Sequence, residues 1–309
     1  NIYHKPSEFT INANAEVGYT IKSHFTVGGK ISVTNVSYKD SDTTFIGNQN
    51  HFTVQAIPYG KVKFKIWQLM AGPNIMITNR KFYVLPEIVT QLQIYKDYFV
   101  LYNEWKTQVR INSMNNLALE NPWVVTSNFA NSIDETRTFG GFRGSIKGFG
   151  YDLRFSQLVS RNNAQFFTNT YSAPLFSDAI FDVQSEDTKA WNPHFSLSYN
   201  KGNQFGAKAW FDYFIYNKNN VYELSYLPNF KAGFSAFYNW KDKLYINIDI
   251  YGQKITRGIQ LNHTLFADTP VAVPVKGLID INLSANYFIT KNIGVFVEMN
   301  NLGFQRWQR

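Results

Sequence analysis

The sequence predicts an all-β chain folded as a transmembrane antiparallel up-and-down β-barrel, and three observations carry that reading. Apolar and polar residues alternate with period two over long stretches, the pattern of strands with one wet and one apolar face. The connections between those stretches alternate short and long. The composition is aromatic-rich and charge-poor: of 309 residues, 17% are Phe, Tyr or Trp and 17% are charged, against ~25% charged in a typical soluble domain. This balance excludes disorder, which goes with few aromatics and high net charge. No apolar run approaches the ~20 residues of a spanning helix, so a helical membrane protein is excluded as well. Cysteine is absent, which removes disulfide frameworks and thiolate metal sites. Asn1-Ile2-Tyr3-His4-Lys5 carries no signal-peptide pattern, as expected of a mature or trimmed chain.

The elements follow in order. From Phe9 to Ile21 the odd positions Phe9, Ile11, Ala13, Ala15, Val17, Tyr19 and Ile21 are apolar, and Thr10, Asn12, Asn14 and Glu16 between them are polar. Similar runs are read at Phe52–Val62, Trp67–Ile77, Phe99–Ile111, Tyr151–Val159, Trp191–Tyr199 and Phe205–Ile215. Leu224–Trp240, Leu244–Ile250, Ile279–Ile289 and Ile293–Met299 continue the series, and Phe25–Val36, Phe82–Ile94 and Thr138–Ile146 are weaker members. About fourteen strands result, many of ~10–14 residues, where a globular strand averages ~5–6. A soluble sandwich would turn the apolar stripe inward, but its turns come every ~8–12 residues. A tilted strand crossing a bilayer needs ~9–11 residues. Strand length therefore selects the membrane.

The connections agree. Short ones lie at Lys22-Ser23-His24, Val62-Lys63, Tyr95-Lys96-Asp97, Lys147-Gly148-Phe149-Gly150, Lys201-Gly202-Asn203, Lys241-Asp242-Lys243 and Thr290-Lys291-Asn292. Longer ones run from Lys39 to Asn50, Ser113 to Thr136, Arg161 to Thr188 and Lys254 to Val275, with Thr78-Asn79-Arg80-Lys81 a short exception. Bacterial outer-membrane barrels have this asymmetry, with short periplasmic turns and long extracellular loops. Aromatic residues flank each short turn, among them Tyr19, Phe25, Tyr59, Phe64, Tyr98, Tyr199 and Tyr245, where a headgroup interface would select them. Residues 1–309 read as a single barrel domain. If the short turns are periplasmic, the first strand runs down and the last runs up. Bacterial barrels have an even strand number, so about sixteen strands are expected in the whole barrel, one more at each end.

The C-terminal stretch narrows this further. Ile279-Asp280-Ile281-Asn282-Leu283-Ser284-Ala285-Asn286-Tyr287, then Ile293-Gly294-Val295-Phe296-Val297-Glu298-Met299, leads into Asn300-Asn301-Leu302-Gly303-Phe304-Gln305-Arg306-Trp307. This resembles the last strands of TonB-dependent-receptor-like outer-membrane barrels, whose penultimate strand commonly runs into Asn-Leu-Phe-Asp-x-x-Tyr. Asn301 and Leu302 match, Gly303 stands in place of the Phe, and Trp307 in place of the Tyr. The resemblance implies a β-barrel in the bacterial outer membrane. Such receptors also carry a plug domain, a TonB-contacting box and about twenty-two strands, none of which matches here. A plug-less relative or a C-terminal barrel portion is the form expected.

Alternation assigns a polar face that would line the lumen: Glu16, Lys30, Lys61, Glu87, Glu104, Lys106, Arg110, Asp152, Arg154, Lys208, Asp212, Lys231, Asp249, Asp280 and Glu298. Both signs occur in near-equal number, which argues against a strong single-sign field. Cross-strand pairing that rigidifies the lumen competes with a substrate pathway as their role. The net charge of +8 is then expected mainly in turns and loops, for example Lys96, Lys147, Lys241 and Lys243, or Arg80, Lys81, Lys254 and Arg257. No basic-aromatic nucleic-acid module is visible. His4, His24, His51, His194 and His263 show no triad spacing, and Asp40-Ser41-Asp42 lacks the Gly and distal Glu of a calcium loop. Gly140-Gly141-Phe142-Arg143-Gly144 reads as a strand with a bend or close approach. No catalytic, cofactor or metal site is expected. The function expected is non-enzymatic: transport across, or organisation of, the outer membrane. The alternatives are an accessory barrel subunit of a larger assembly and, less favoured, an outer-membrane hydrolase. Outer-membrane lipid is the expected partner, with other outer-membrane or periplasmic proteins as further candidates.

Overall fold

A computed structural model describes residues 7–21, 23–39, 49–124, 130–170, 180–217, 224–255, 257–263 and 268–305. One sheet holds seventeen strands. They are β1 (Ser7–Ile21), β2 (Phe25–Lys39), β3 (Gln49–Lys63), β4 (Trp67–Thr78), β5 (Lys81–Tyr95), β6 (Phe99–Arg110), β7 (Ser132–Ile146), β8 (Phe149–Thr170) and β9 (Ile180–Lys201). Next come β10 (Phe205–Tyr213), β11 (Ile215–Tyr216), β12 (Pro228–Trp240), β13 (Leu244–Ile255), β14 (Gly258–His263), β15 (Asp268–Val273), β16 (Leu278–Phe288) and β17 (Gly294–Met299), with one helix, α1 (Met114–Glu120). Fourteen strands pair antiparallel in chain order, from β1–β2 through β8–β9 and β9–β10, then β10–β12, β12–β13, β13–β16 and β16–β17. These are the fourteen that alternation marks. The remaining three are β11, which continues β10 along β9, and the hairpin β14–β15. Among the described residues β1 pairs only with β2, and β17 only with β16.

The apolar stripe lies on the exposed surface. Phe9 is 65% exposed, Val17 75% and Phe82 65%, whereas a sandwich would bury such a stripe. Apolar surface on this scale has no place in water and suits a hydrocarbon surrounding. The opposite face is polar and internally bonded. Glu16 stands opposite Lys30 with Oε1 3.8 Å from Nζ, and the Tyr59 hydroxyl donates to Glu16 at 3.0 Å. At the short-turn end aromatic rings form a belt: Phe64 on Trp67, Tyr95 on Tyr98, Phe149 on Tyr199 and Tyr245 on Phe288, with centroids 4.5–6.0 Å apart. The turn between β7 and β8 is two residues, Lys147 and Gly148, both at positive φ. That backbone suits tight hairpins between twisted strands. The β3–β4 turn falls at Phe64-Lys65-Ile66, just beyond the Val62-Lys63 position read from sequence.

The other end differs from a simple meander. β8 and β9 are each 22 residues long, so much of the Arg161–Thr188 segment read as a loop is strand. Beyond a bulge at Arg161–Asn162, this extension packs on both faces, which erases period-two alternation. Ala164, Phe166, Phe181 and Val183 cluster with Leu117 of α1 and with Val124. Phe167 packs against Ile259 of β14, and β14 runs parallel to the end of β8. Helix α1 is capped by Ser113, whose Oγ accepts from the Asn116 N–H. The Glu8 carboxylate of β1 accepts from the Ser113 hydroxyl and from the Asn115 N–H. A chain segment following β6 is thereby tied to β1, five strands away. The Asp40-Ser41-Asp42 cluster lies outside the described residues.

Beyond Trp105, β6 also parts from β5, whose Lys81–Glu87 half has no β6 partner in the ladder. Side chains of three strands serve the freed backbone instead. Glu87 accepts from the Thr107 N–H at 3.3 Å, while Asn74 and Gln55 donate to the Thr107 carbonyl at 3.2 and 3.4 Å. Asn79, in the short β4–β5 turn, exchanges two bonds with the Asn131 backbone at 2.7 and 2.8 Å. Buried backbone groups are nearly always paired, and here lumen side chains do the pairing.

Candidate functional site

In the short-turn half of the lumen, β4–β10 surround a polar cavity of about 630 Å³. The bulge at Phe139 shapes it. One extra residue in β7, between Thr138 and Gly140, shifts register against both neighbours. After it Gly141 and Arg143 face inward. Gly141 is required by contact: a Cβ there would lie 2.4 Å from the Tyr102 ring. Gly144 has the same constraint from backbone, since its Cβ would lie 1.9 Å from the Tyr98 carbonyl oxygen. The glycine-rich run is thus a bend with close approaches.

Three cations point into this cavity: Arg143, Arg154 and Lys208. Arg143 stacks 5.0 Å over Tyr102 and donates to Gln91 at 3.0 Å. Among the described residues none of the three forms an ion pair with a carboxylate. The acids nearby are occupied by other donors. Asp152 accepts from the Tyr102 hydroxyl at 2.8 and 3.0 Å, and Asp97 from Gln93 at 2.9 Å. Asp212 is held by Asn192 at 3.0 Å and by His194 Nδ1 at 2.9 Å. The remaining lining is neutral and hydrogen-bonding, including Gln68, Ser196, Ser198 and Tyr151. Such a site offers an anion unpaired positive charge together with neutral donors. Polar walls of this kind concentrate counter-ions.

The other residues assigned to the polar face are dispersed. Glu104 and Lys106 pair with each other at 2.9 Å. Arg110 bonds Asp134 at 3.2 Å and Asn163 at 2.6 Å, near the long-connection end. Asp249 borders a separate recess with Lys208 and Asn247. Glu298 is exposed on β17 and accepts from Asn300 at 3.3 Å. Of the residues assigned to the polar face, Asp152, Arg154 and Lys208 line the cavity, and Asp212 is bonded to His194 of the same wall. Arg143 escapes sequence reading because the bulge reverses the face parity of β7. His194 has a carboxylate partner, but among the described residues no serine or threonine hydroxyl is hydrogen-bonded to it.

No protein-family model and no curated protein matches the sequence. Solved structures do. The siderophore receptor PirA from Acinetobacter baumannii aligns with a TM-score of 0.63 at 11% identity over 97% of this chain and 51% of its own. The siderophore receptor PirA from Pseudomonas aeruginosa gives 0.62 at 8% identity over 99% and 55%. The copper transporter OprC gives 0.60 at 11% identity over 99% and 52%. The chain spans about half the length of these structures. At such identities the likeness concerns the fold, and it covers nearly the whole of this chain. Long strands, an exposed apolar stripe, a belted short-turn end and this likeness agree: the chain has the fold of part of the β-barrel of the TonB-dependent outer-membrane receptors, over about half of their length.

Proposed function

We propose that the chain forms membrane-spanning wall of a bacterial outer-membrane transport protein, and that its lumen takes small anionic, hydrogen-bonding solutes without transforming them. The observation that carries this is the Arg143–Arg154–Lys208 group, which among the described residues makes no ion pair although Asp97 and Asp152 line the same cavity. Near-balance of lumen charge along the sequence becomes, in this cavity, three cations against two carboxylates. A second reading, an accessory barrel in a larger outer-membrane assembly, is favoured by the long-connection end, where α1, the β8–β9 extension and β14 are tied together and to β1.

Planar-bilayer recording under a salt gradient separates the two. The transport reading expects ion conduction with a reversal potential on the anion side, moved toward cations by Arg154→Glu with Lys208→Glu. The shift should be largest at low salt, where the Debye length is long (~30 Å at 0.01 M). A non-conducting protein would favour the accessory reading, and a selectivity unaltered by the double reversal would remove the assigned anion site.

A further inference from the structure

A second cationic site lies on the opposite face of the same strands. Arg137 of β7, Arg161 of β8 and Lys189 of β9 line an outward concavity of about 390 Å³, with Gln157 and Val159 between them. It is built around a carboxylate. The Glu135 side chain is fully buried and binds Arg137 Nη2 at 2.9 Å and Arg161 Nη2 at 2.8 Å. Trp105 completes the support: its Nε1 donates to Glu135 at 3.3 Å, and the Arg137 guanidinium stacks 4.4 Å over its ring. Each arginine side chain keeps about a third of its surface exposed (30% for Arg137 and 33% for Arg161). Lys189 is exposed, and among the described residues it has no ion pair. Asp187, at the upper rim, is occupied by the Asn162 N–H at 2.9 Å.

Register places this site at a definite height. Gln157 stands opposite both Arg137 and Trp191, and two residues nearer the short turns Phe155 stacks on Trp191 at 5.1 Å. Phe139 joins the same group at 5.5 Å from Trp191, itself 57% exposed. The cations therefore sit directly above an outward aromatic patch. At ~3.3 Å per residue and a tilt of ~35–45°, they lie roughly 20–30 Å above the lower belt ring Phe149. The apolar band of an outer-membrane barrel is ~25 Å tall. Aromatic rings below, guanidinium and ammonium groups at the edge, all turned away from the lumen, match a headgroup layer and not a solute path.

We infer that the Arg137–Arg161–Lys189 concavity binds the phosphate of an anionic lipid headgroup in the leaflet at the long-connection end. Arginine forks fit phosphate oxygens, and the buried Glu135 fixes both guanidiniums in advance, so little rotamer entropy is lost on binding. The inference rests on the outer-membrane reading for which leaflet this is, but it is independent of what passes through the lumen. It would make the site a retained-lipid contact on the barrel wall.

The protein purified in neutral detergent would be offered an equimolar mixture of bis-phosphorylated and dephosphorylated lipid A, and retained lipids counted by native mass spectrometry. The phosphorylated form should be retained about tenfold over the dephosphorylated one, in line with the usual attraction per surface cation. Lys189→Gln, which disturbs no described ion pair, should lower that preference severalfold. Glu135→Gln combined with Arg137→Gln, which removes one charge of each sign, should abolish most of it. Excess inorganic phosphate should not displace the lipid. Equal retention of the two lipids, wild-type preference in both variants, or displacement by inorganic phosphate would each overturn the inference.

Discussion

Arginine at Phe234 should destabilise the protein by ~2–4 kcal/mol, the penalty for a cation at the midplane of a barrel's lipid face. Phe234 lies mid-strand in β12, on the apolar side shared with Phe230 and Tyr238, and pairs with Ala209 and Ile250. Its neighbour Ser235 lies on the other side, opposite Lys208 and Asp249. The Ser235→Arg variant should therefore be tolerated. Reversible denaturant unfolding in lipid vesicles measures both. Equal sensitivity at the two positions would remove the assignment of faces, because a one-residue step along a strand changes side and little else.

Loss of Glu135 should be comparably costly for a different reason. Glu135→Ala leaves two guanidiniums facing one another without the carboxylate between them, and Trp105 loses its acceptor. Breaking a buried pair costs about 3–5 kcal/mol. The lower end applies here because both arginines retain access to solvent, which screens them. The same unfolding measurement on a double-mutant cycle with Arg161→Ala identifies the cause. Arg161→Ala should be nearly neutral once Glu135 is gone and clearly destabilising while it is present. Additive effects would show that Glu135 acts by volume alone.

Much of the wall was legible in the sequence, because each wall strand has one face in lipid and one in a polar lumen. That contrast writes period two into the chain, and Phe9–Ile21 or Phe230–Trp240 display it plainly. Legibility fails where the contrast does. Ala164, Phe166 and Phe167 lie on a strand extension packed on both sides, so nothing alternates there and the segment reads as a loop. The hairpin β14–β15 and helix α1 owe their places to tertiary contacts, such as Ile259 on Phe167 and Leu117 on Phe166, which leave no local period. Charge placement was partly hidden for a related reason. Arg137, Arg161 and Lys189 sit on strands, not in turns, so the net positive charge is not confined to loops. The Phe139 bulge turns Arg143 inward, and with it the lumen cavity gains its third cation. Pairwise alternation cannot show an inserted residue, although the run of glycines after Phe139 marked the bend.

The central claim is that one face of these strands meets hydrocarbon and the other meets water. Nitroxide labels at Ala13, Ile215 and Ala236, and at Asn14, Ser235 and Asn247, can be read in lipid nanodiscs by oxygen and nickel-chelate relaxation. The first three should show high oxygen and low nickel-chelate accessibility, and the second three the reverse. Polar signals at Ala13, Ile215 and Ala236, with apolar ones at their partners, would contradict the membrane barrel and return the chain to a soluble fold.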